Sequence, residues 1–174
     1  MIPERAPDDP FLRLVMIVRL ECSPFEVVGD TGKGTRRVQY LTGGSFEIFA
    51  QDAGSFTTPA KKGIVLGGHD WQVLHSETLV ELDVRYNLRT DDGHLIYFRA
   101  AGRRYATPEM LAQILRGEPA RRGRDYYGVS TPLIETGDPD LQWMNYHAFV
   151  GNSRSRPGVH DVSVYTVDYD EPAR

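Results

Sequence analysis

What this chain lacks excludes several classes of protein. Its single cysteine, Cys22, can form no intrachain disulfide and is typical of a reducing compartment. The formal charge is only −4 with both signs mixed, which argues against a dedicated nucleic-acid binder. No apolar run is long enough to span a membrane, because Arg13 and Arg19 interrupt the best one. We therefore expect a cytoplasmic protein with neither a nucleic-acid nor a membrane partner.

Signatures of common catalytic and cofactor sites are also missing. There is no Gly-rich loop leading into a helix and no Gly-x-Ser-x-Gly elbow, so neither a nucleotide cofactor nor a hydrolase triad is indicated. The five histidines form neither His-x-His nor His-Glu-x-x-His. The sequence therefore predicts no cofactor and no metal site.

What is present is a series of strand signals. Segments rich in valine, isoleucine and aromatic residues alternate with clusters of glycine, proline and aspartate, which is typical of an antiparallel sandwich or barrel. Thr107 suits a helix N-cap and Pro108 the first helical position, so one short helix is predicted over 108–116. The predicted strand segments are 11–20, 37–42, 45–50, 62–66, 71–75, the hairpin 81–101, 143–150 and 159–167.

We predict an all-β fold, a single antiparallel β-barrel with the general shape of a lipocalin. The barrel domain is expected over residues 11–168. Residues 1–10 are rich in proline and acidic groups and are predicted to be a flexible lead-in, and residues 169–174 a flexible tail.

The hairpin at 81–101 is the most informative stretch. Gly93 supplies the positive φ that a short turn between Thr90 and His94 needs. This turn pairs Tyr86 with Phe98 on an apolar face and leaves ionisable groups on the other face, where two opposed arginines need an acid between them. The polar face either points into solvent, the usual arrangement, or lines the interior of a barrel. It carries Asp83, Arg85, Asn87, Tyr97 and Arg99.

A second motif is Gly67-Gly68-His69-Asp70-Trp71-Gln72. Its glycine pair allows a flexible bend, and an acid, an indole and an amide follow shortly after the bend. In a structural interpretation, Asp70 caps the turn and Trp71 fills the core. In a functional one, Asp70 is a general base at the barrel mouth and Trp71 a wall for an aromatic substrate.

Residues 143–150 also alternate. If they form a strand, Trp143, Asn145 and His147 share one face, and an inward Asn145 would bring the other two inside.

Several ordered motifs give the chain a resemblance to a known family. They are Gly-Gly-x-Asp-Trp-Gln, the hairpin motif Glu-Leu-Asp-x-Arg-Tyr-x-Leu-Arg-Thr-Asp-Asp-Gly, Gly43-Gly44-Ser45-Phe46-Glu47, Glu135-Thr136-Gly137, Trp143-Met144-Asn145 and Phe149-Val150-Gly151. In this order, from about Phe11 to Val167, they resemble the "domain of unknown function 3237" family of bacterial and fungal proteins. The resemblance implies an antiparallel β-barrel and no established common activity.

The resemblance also implies a set of recurring polar positions, which favours the inward orientation of the hairpin's polar face. They fall on Asp70, Asp83, Arg85, Tyr97, Glu135 and Asn145. His69 departs from the family pattern by adding a titratable group beside Asp70. Residues 48–62 look longer than is usual and could form a lid.

Three functions remain open. The first is a cofactor-independent isomerase, cyclase or lyase acting on a small oxygenated aromatic or polyketide-like molecule, as in secondary metabolism. The second is a carrier of such a molecule, and the third a structural or interaction protein. The expected partner is a small molecule, and homodimerisation is left open. The predicted catalytic residues are Asp70, His69, Tyr97, Arg85 and Glu135, and the predicted substrate-binding residues are Trp71, Asp83, Arg99, Trp143, Asn145 and His147.

Overall fold

The computed structural model describes residues 10–49, 59–116, 118 and 126–169. Their eight strands pair antiparallel in chain order and close into a barrel, which confirms the predicted fold class. The strands are β1 (Phe11–Asp30), β2 (Thr35–Ile48), β3 (Lys61–Leu74), β4 (Leu79–Thr90), β5 (Leu95–Ala106), β6 (Tyr126–Thr136), β7 (Phe149–Arg156) and β8 (Val159–Asp168). Nearly all of the predicted lead-in and tail, and most of the predicted lid, lie outside the described residues.

Two glycine pairs that separate predicted strand segments, Gly43-Gly44 and Gly67-Gly68, lie inside long, bent strands. Gly44 in β2 has φ of 129° and Gly67 in β3 has φ of 119°, so neither position suits an L side chain. At Gly68, an added Cβ would lie 2.1 Å from a backbone oxygen of β4. The glycines therefore allow close strand approach where the sheet bends, and the separate segments predicted on either side of each pair are single strands.

The hairpin of β4 and β5 has the predicted register. Tyr86 pairs with Phe98, Asn87 with Tyr97 and Arg85 with Arg99. The expectation that the polar face lines the barrel is wrong. The apolar face fills the interior, with Tyr86 3% and Phe98 1% exposed. The physical reason is that burying apolar surface stabilises the barrel, whereas burying several charged groups together carries a large desolvation penalty.

The helical elements match the sequence unevenly. Helix α1 (Pro108–Leu115) is confirmed, and the Thr107 hydroxyl accepts a hydrogen bond from the backbone N–H of Met110 at 3.3 Å. The strand predicted over 143–150 is wrong, since a 3₁₀ helix (Pro139–Tyr146) occupies its first half and β7 begins only at Phe149. An N-cap at Asp138 and a proline directly after it start this helix and override the alternating pattern.

The hydrophobic core occupies the barrel interior, and the 3₁₀ helix contributes Leu141 and Met144 to it. A smaller apolar cluster joins α1 to the ends of β5 and β6 through Met110, Ala106 and Tyr126. Among the described residues, no helix is long and apolar enough to cross a bilayer.

Candidate functional site in the barrel interior

A cavity lies in the barrel interior beside the core. It has about 630 Å³ of empty space including its open mouth. The part of this space in which the centre of a water molecule fits has a volume of about 60 Å³. The narrower volume has room for roughly four to six water molecules, so it suits a small ligand. Its apolar walls include Leu20, Leu41, Val84, Phe98 and Val162. Its polar lining is Asp70, Gln72, Tyr86, Arg104, Ser130, Ser153, Ser155 and His160.

The hydrogen bonds around Asp70 have a fixed direction. Both Nε and Nη2 of Arg37 donate to Oε1 of Gln72, at 2.9 and 2.7 Å. A guanidinium can only donate, so the oxygen of the Gln72 amide must face it. The amide nitrogen, Nε2, then donates to Oδ2 of Asp70 at 2.5 Å. Oδ2 is thus engaged as an acceptor, and a proton carried by Asp70 belongs on Oδ1.

Oδ1 of Asp70 is buried and has no hydrogen-bond partner among the described residues. The side chain is 7% exposed. Burial raises the pKa of this carboxyl above its usual value, against the lowering effects of the Gln72 hydrogen bond and the charges of Arg104 and Arg37. A buried carboxyl with a raised pKa and one free oxygen is suited to proton transfer with a bound molecule.

A second unpartnered polar atom at this cavity is the hydroxyl oxygen of Tyr86. Its ring stacks on Phe98 with centroids 4.5 Å apart, and its hydroxyl is buried with no partner among the described residues. Burial raises the pKa of the phenol well above its ordinary value, so the hydroxyl keeps its proton and can donate a hydrogen bond. Leaving such a group unpaired costs about 1–3 kcal/mol, which a bound ligand could recover.

A separate chain of hydrogen bonds fixes His160. Nε2 of Gln39 donates to the backbone oxygen of Ser23 at 2.8 Å, so Oε1 of Gln39 accepts from Nε2 of His160 at 2.9 Å. Nδ1 of His160 lies 2.8 Å from the Ser155 hydroxyl and, in the neutral ring, accepts from it. Burial, followed by the charge of Arg104, lowers the pKa of His160 to about 4. The imidazole is therefore neutral and a weak base.

Strands β6 and β7 form the thinnest seam of the barrel. Only two residue pairs join them in the described structure, Val129 with Asn152 and Ser130 with Gly151. Ser130, Ser153 and Ser155 of these strands all line the cavity. The cavity therefore borders the part of the wall with the fewest backbone hydrogen bonds.

Of the residues predicted for the site, the structure places only Asp70 in the cavity. The outer surface of the sheet carries seven of the others. Asp83 lies between the two opposed arginines, 3.5 Å from Arg85 and 3.7 Å from Arg99, and so supplies the acid that this pair requires. Glu135 pairs with Tyr97 across β5 and β6 on the same outer face. His69 and Trp71 stack with ring centroids 6.2 Å apart, and Trp71 is 42% exposed.

The remaining three predicted residues belong to the 3₁₀ helix and the turn after it. Both amide groups of Asn145 are used by the backbone of Thr136, which donates to Oδ1 at 2.9 Å and accepts from Nδ2 at 3.0 Å. The Trp143 ring packs against the core beside Phe149. His147 is exposed, and its Nδ1 lies 2.7 Å from the backbone oxygen of Trp143. These residues anchor the 3₁₀ helix and do not line the cavity.

The titratable cavity residues that the sequence interpretation missed are Tyr86, Arg104 and His160. The alternation of inward-facing and outward-facing residues along each strand could have placed all three in the barrel interior. Tyr86 falls on the apolar face of the predicted hairpin, where its hydroxyl needs a partner. Arg104 continues the inward series from Phe98, and His160 precedes the inward-facing Val162.

A cluster of acidic groups at the other end of β4 could in principle hold a metal ion. Asp92, His94 and Asp138 have ligand atoms within 4.8 Å of one another. The ammonium of Lys61, however, lies 2.5 Å from Asp92 and 3.2 Å from Asp138, and 3.1 Å from Asp140. The lysine already supplies the cation that these carboxylates need, so the cluster is an ion-pair network.

The fold and the cavity define a closed antiparallel β-barrel with buried, incompletely bonded polar groups in its interior. Within that class, residues 10–169 match the family model described as "Protein of unknown function (DUF3237)", and the chain belongs to this family.

Known relatives agree with this assignment. A UPF0311 protein of Rhodopseudomonas palustris is 32% identical over 125 residues, which cover 72% of this chain and 75% of that protein. A crystal structure of a β-barrel-like protein from Acinetobacter baumannii matches 95% of this chain and 100% of its own with a TM-score of 0.74 and 30% identity. A structure described as an enzyme from Penicillium herquei shares the fold, with a TM-score of 0.62 at 17% identity over 95% of this chain and 100% of its own.

Proposed function

We propose that this protein is a cofactor-independent acid–base enzyme, of the isomerase, cyclase or lyase type, for a small oxygenated aromatic or polyketide-like molecule bound in the barrel. The observation that carries the proposal is Oδ1 of Asp70, a buried carboxyl oxygen without a partner among the described residues, in a side chain that lines the cavity. The structural neighbour described as an enzyme supports catalysis on this fold.

The chemistry assigns a role to each of three side chains. Ionised Asp70 takes a proton from a carbon next to a carbonyl of the substrate, so that the C–H bond breaks and its electron pair moves to the carbonyl oxygen. Tyr86 donates a hydrogen bond to the enolate oxygen, and the Arg104 charge stabilises it. Return of the proton to another carbon gives isomerisation, and loss of a leaving group with its electron pair gives elimination. Attack of the enolate carbon on a second carbonyl of the same molecule gives ring closure, because the electron pair of that C=O bond moves to its oxygen, which takes the proton from Asp70.

These roles replace those expected from the sequence. The predicted catalytic residues included a tyrosine and an arginine, Tyr97 and Arg85. Those two lie on the outer surface, with the Arg85 side chain 53% exposed. The interior provides the same two chemical groups in Tyr86 and Arg104.

Two other functions make different predictions. A purely structural interior should have its buried polar groups fully hydrogen bonded, yet Asp70 and Tyr86 each have an unpartnered atom within the described structure. A carrier would use the same groups to hold its ligand without proton transfer. The unpartnered atoms therefore support a ligand site, and only turnover separates an enzyme from a carrier.

The test is solvent deuterium exchange followed by NMR. We expect the protein to accelerate exchange of the methyl protons of 2,4-dihydroxyacetophenone, which lie next to its carbonyl. Asp70→Asn should abolish the acceleration, because the amide cannot take the proton, while binding of the compound is retained. Asp91→Asn, which changes an exposed aspartate of the turn between β4 and β5, is the matched control and should exchange at the wild-type rate.

The outcomes discriminate among the three functions. Binding without accelerated exchange in the wild type would favour the carrier. Equal loss of exchange in both variants would remove Asp70 from its proposed role. Absence of binding to the wild type, with this compound and its hydroxylated analogues, would contradict a ligand site in the cavity.

A further inference from the structure

The cavity has an excess of positive charge that no described group neutralises. Asp70 is the only acidic side chain among the described residues that line it, and Arg104 lines it as well. Arg37 is close enough for its charge to affect Asp70 and to be affected by Arg104. The charge of Asp83 also reaches Asp70, but Arg85 and Arg99 on the outer face pair with it. Of the carboxylates, only Asp70 then remains to offset the two guanidinium groups. His160 is neutral and does not change this balance.

The two arginines are not equivalent. Arg37 is already engaged, because two of its nitrogens donate to Gln72 and its guanidinium lies 3.7 Å from the centre of the Phe25 ring. Burial, followed by the charge of Arg104, lowers the pKa of Arg37 to about 10, so it stays charged at neutral pH. Within the described ranges, the side chain of Arg104 forms no hydrogen bond or ion pair. Arg104 is therefore the group with donors to offer.

We infer that the cavity binds organic anions, specifically small carboxylates with an apolar or aromatic body, and that Arg104 is the residue that binds the carboxylate. A guanidinium offers two parallel N–H donors to a carboxylate, and this contact is strongest away from water. The apolar part of the ligand packs on the walls provided by Phe98, Val84 and Val162. An anion also reduces the mutual repulsion of Arg104 and Arg37.

This inference rests on the proposed function only in placing the ligand in the same cavity, and it adds the charge of that ligand. The anion can be bound whether or not Asp70 transfers a proton. Charge selection and proton transfer are therefore measured separately.

The experiment compares benzoate with benzamide, two molecules of nearly equal shape that differ in charge. Isothermal titration calorimetry of the full chain at low salt should give at least about tenfold tighter binding of benzoate, a ratio that corresponds to about 1.4 kcal/mol. Because the preference is measured on the wild type, it does not depend on any variant folding. Equal affinities, or no binding of either molecule, would overturn the inference.

Variants then assign the preference to a residue. Arg104→Gln should bind benzoate and benzamide equally, and Arg104→Lys should keep part of the preference because it keeps the charge. Arg99→Gln, which removes an arginine of the outer face, is the matched control and should retain the full preference. A folded Arg104→Gln protein with wild-type preference would refute the role of Arg104.

Asp70→Asn separates this inference from the proposed function. It should keep or increase the benzoate preference, since it removes the one acid in the cavity, while losing deuterium exchange. A preference for benzoate, with no accelerated deuterium exchange in the wild type or any variant, would contradict the proposed enzyme but not the anion site. Exchange without charge preference would contradict the anion site alone.

Discussion

Replacing Asp70 with asparagine should make the protein more stable, and the gain should depend on pH. The folded pKa of Asp70 is raised, chiefly by burial, above the value of about 3.9 expected in the unfolded chain. Its stabilising contribution is therefore fully present below the unfolded pKa and is lost as the pH rises through the folded pKa. Each unit of the raise costs about 1.4 kcal/mol once the carboxyl is ionised in both states.

The magnitude follows from the charge. Asparagine keeps a polar atom in the place of Oδ1 but cannot ionise, so Asp70→Asn should raise the free energy of unfolding at pH 8 by the cost of ionising Asp70, on the order of 1 kcal/mol or more. For a domain of this size, each kcal/mol corresponds to about 2–4 °C in melting temperature. At pH 4 the difference should be small. Between these limits the gain grows with pH and levels off above the folded pKa of Asp70.

Urea unfolding of the wild type and the variant at several pH values measures this difference. Asp161→Asn is the control, and its free energy of unfolding should change in the opposite direction. Partial burial acts to raise the pKa of Asp161, but Arg19 and Arg156 outweigh it and hold the pKa below its usual value. That variant should lose stability at pH 8, and the loss should shrink as the pH falls through the folded pKa. An Asp70→Asn protein that is less stable than wild type, or whose difference does not change with pH, would refute the reasoning about Asp70.

Two further predictions concern charge elsewhere in the fold. Lys61→Met should lower the melting temperature by several degrees, because the ammonium 3.2 Å from the fully buried Asp138 is lost. Lys62→Met should change it little, since that lysine is 67% exposed and 3.9 Å from its partner, and equal effects in a thermal melt would contradict the ion-pair network. The pKa of His160 is lowered to about 4, so the folded state should lose stability as the pH falls from about 6.5 to 4, by up to about 3 kcal/mol. His160→Gln should remove that part of the acid sensitivity in urea unfolding, and an NMR titration that shows His160 protonated at pH 6 would contradict its assignment as neutral.

Local chemistry made much of the fold predictable. Gly93 and the two apolar series on either side of it define the register of β4 and β5, because a shift by one residue would mix the two faces. Thr107 and Pro108 start α1 at the predicted position. The alternation of residues 143–150 misled because Asp138 and Pro139 start a 3₁₀ helix, and a helix start outweighs a short period-two pattern.

The candidate site was harder to predict from local sequence patterns than the fold. The acidic and basic groups of the hairpin share one face, which suggested a pocket, but Asp83 pairs with the two arginines in a network on the outer face. Asp70 was found because a flexible glycine pair precedes it. Tyr86 was overlooked because it lies on the apolar face of the hairpin. Arg104 was overlooked because it follows Arg103 in a basic stretch, which is typical of a solvent-exposed loop.

The sequence by itself determined the fold class, the hairpin register, the helix α1 and the family, since each depends on neighbours close in the chain or on an ordered set of motifs. Only the tertiary structure decided which polar groups meet. Closure of the barrel joins Gln39 to His160, which are 121 positions apart, and brings Asp70, Tyr86 and Arg104 to one cavity. That convergence depends on the bends and relative shifts of eight strands, which no local pattern encodes.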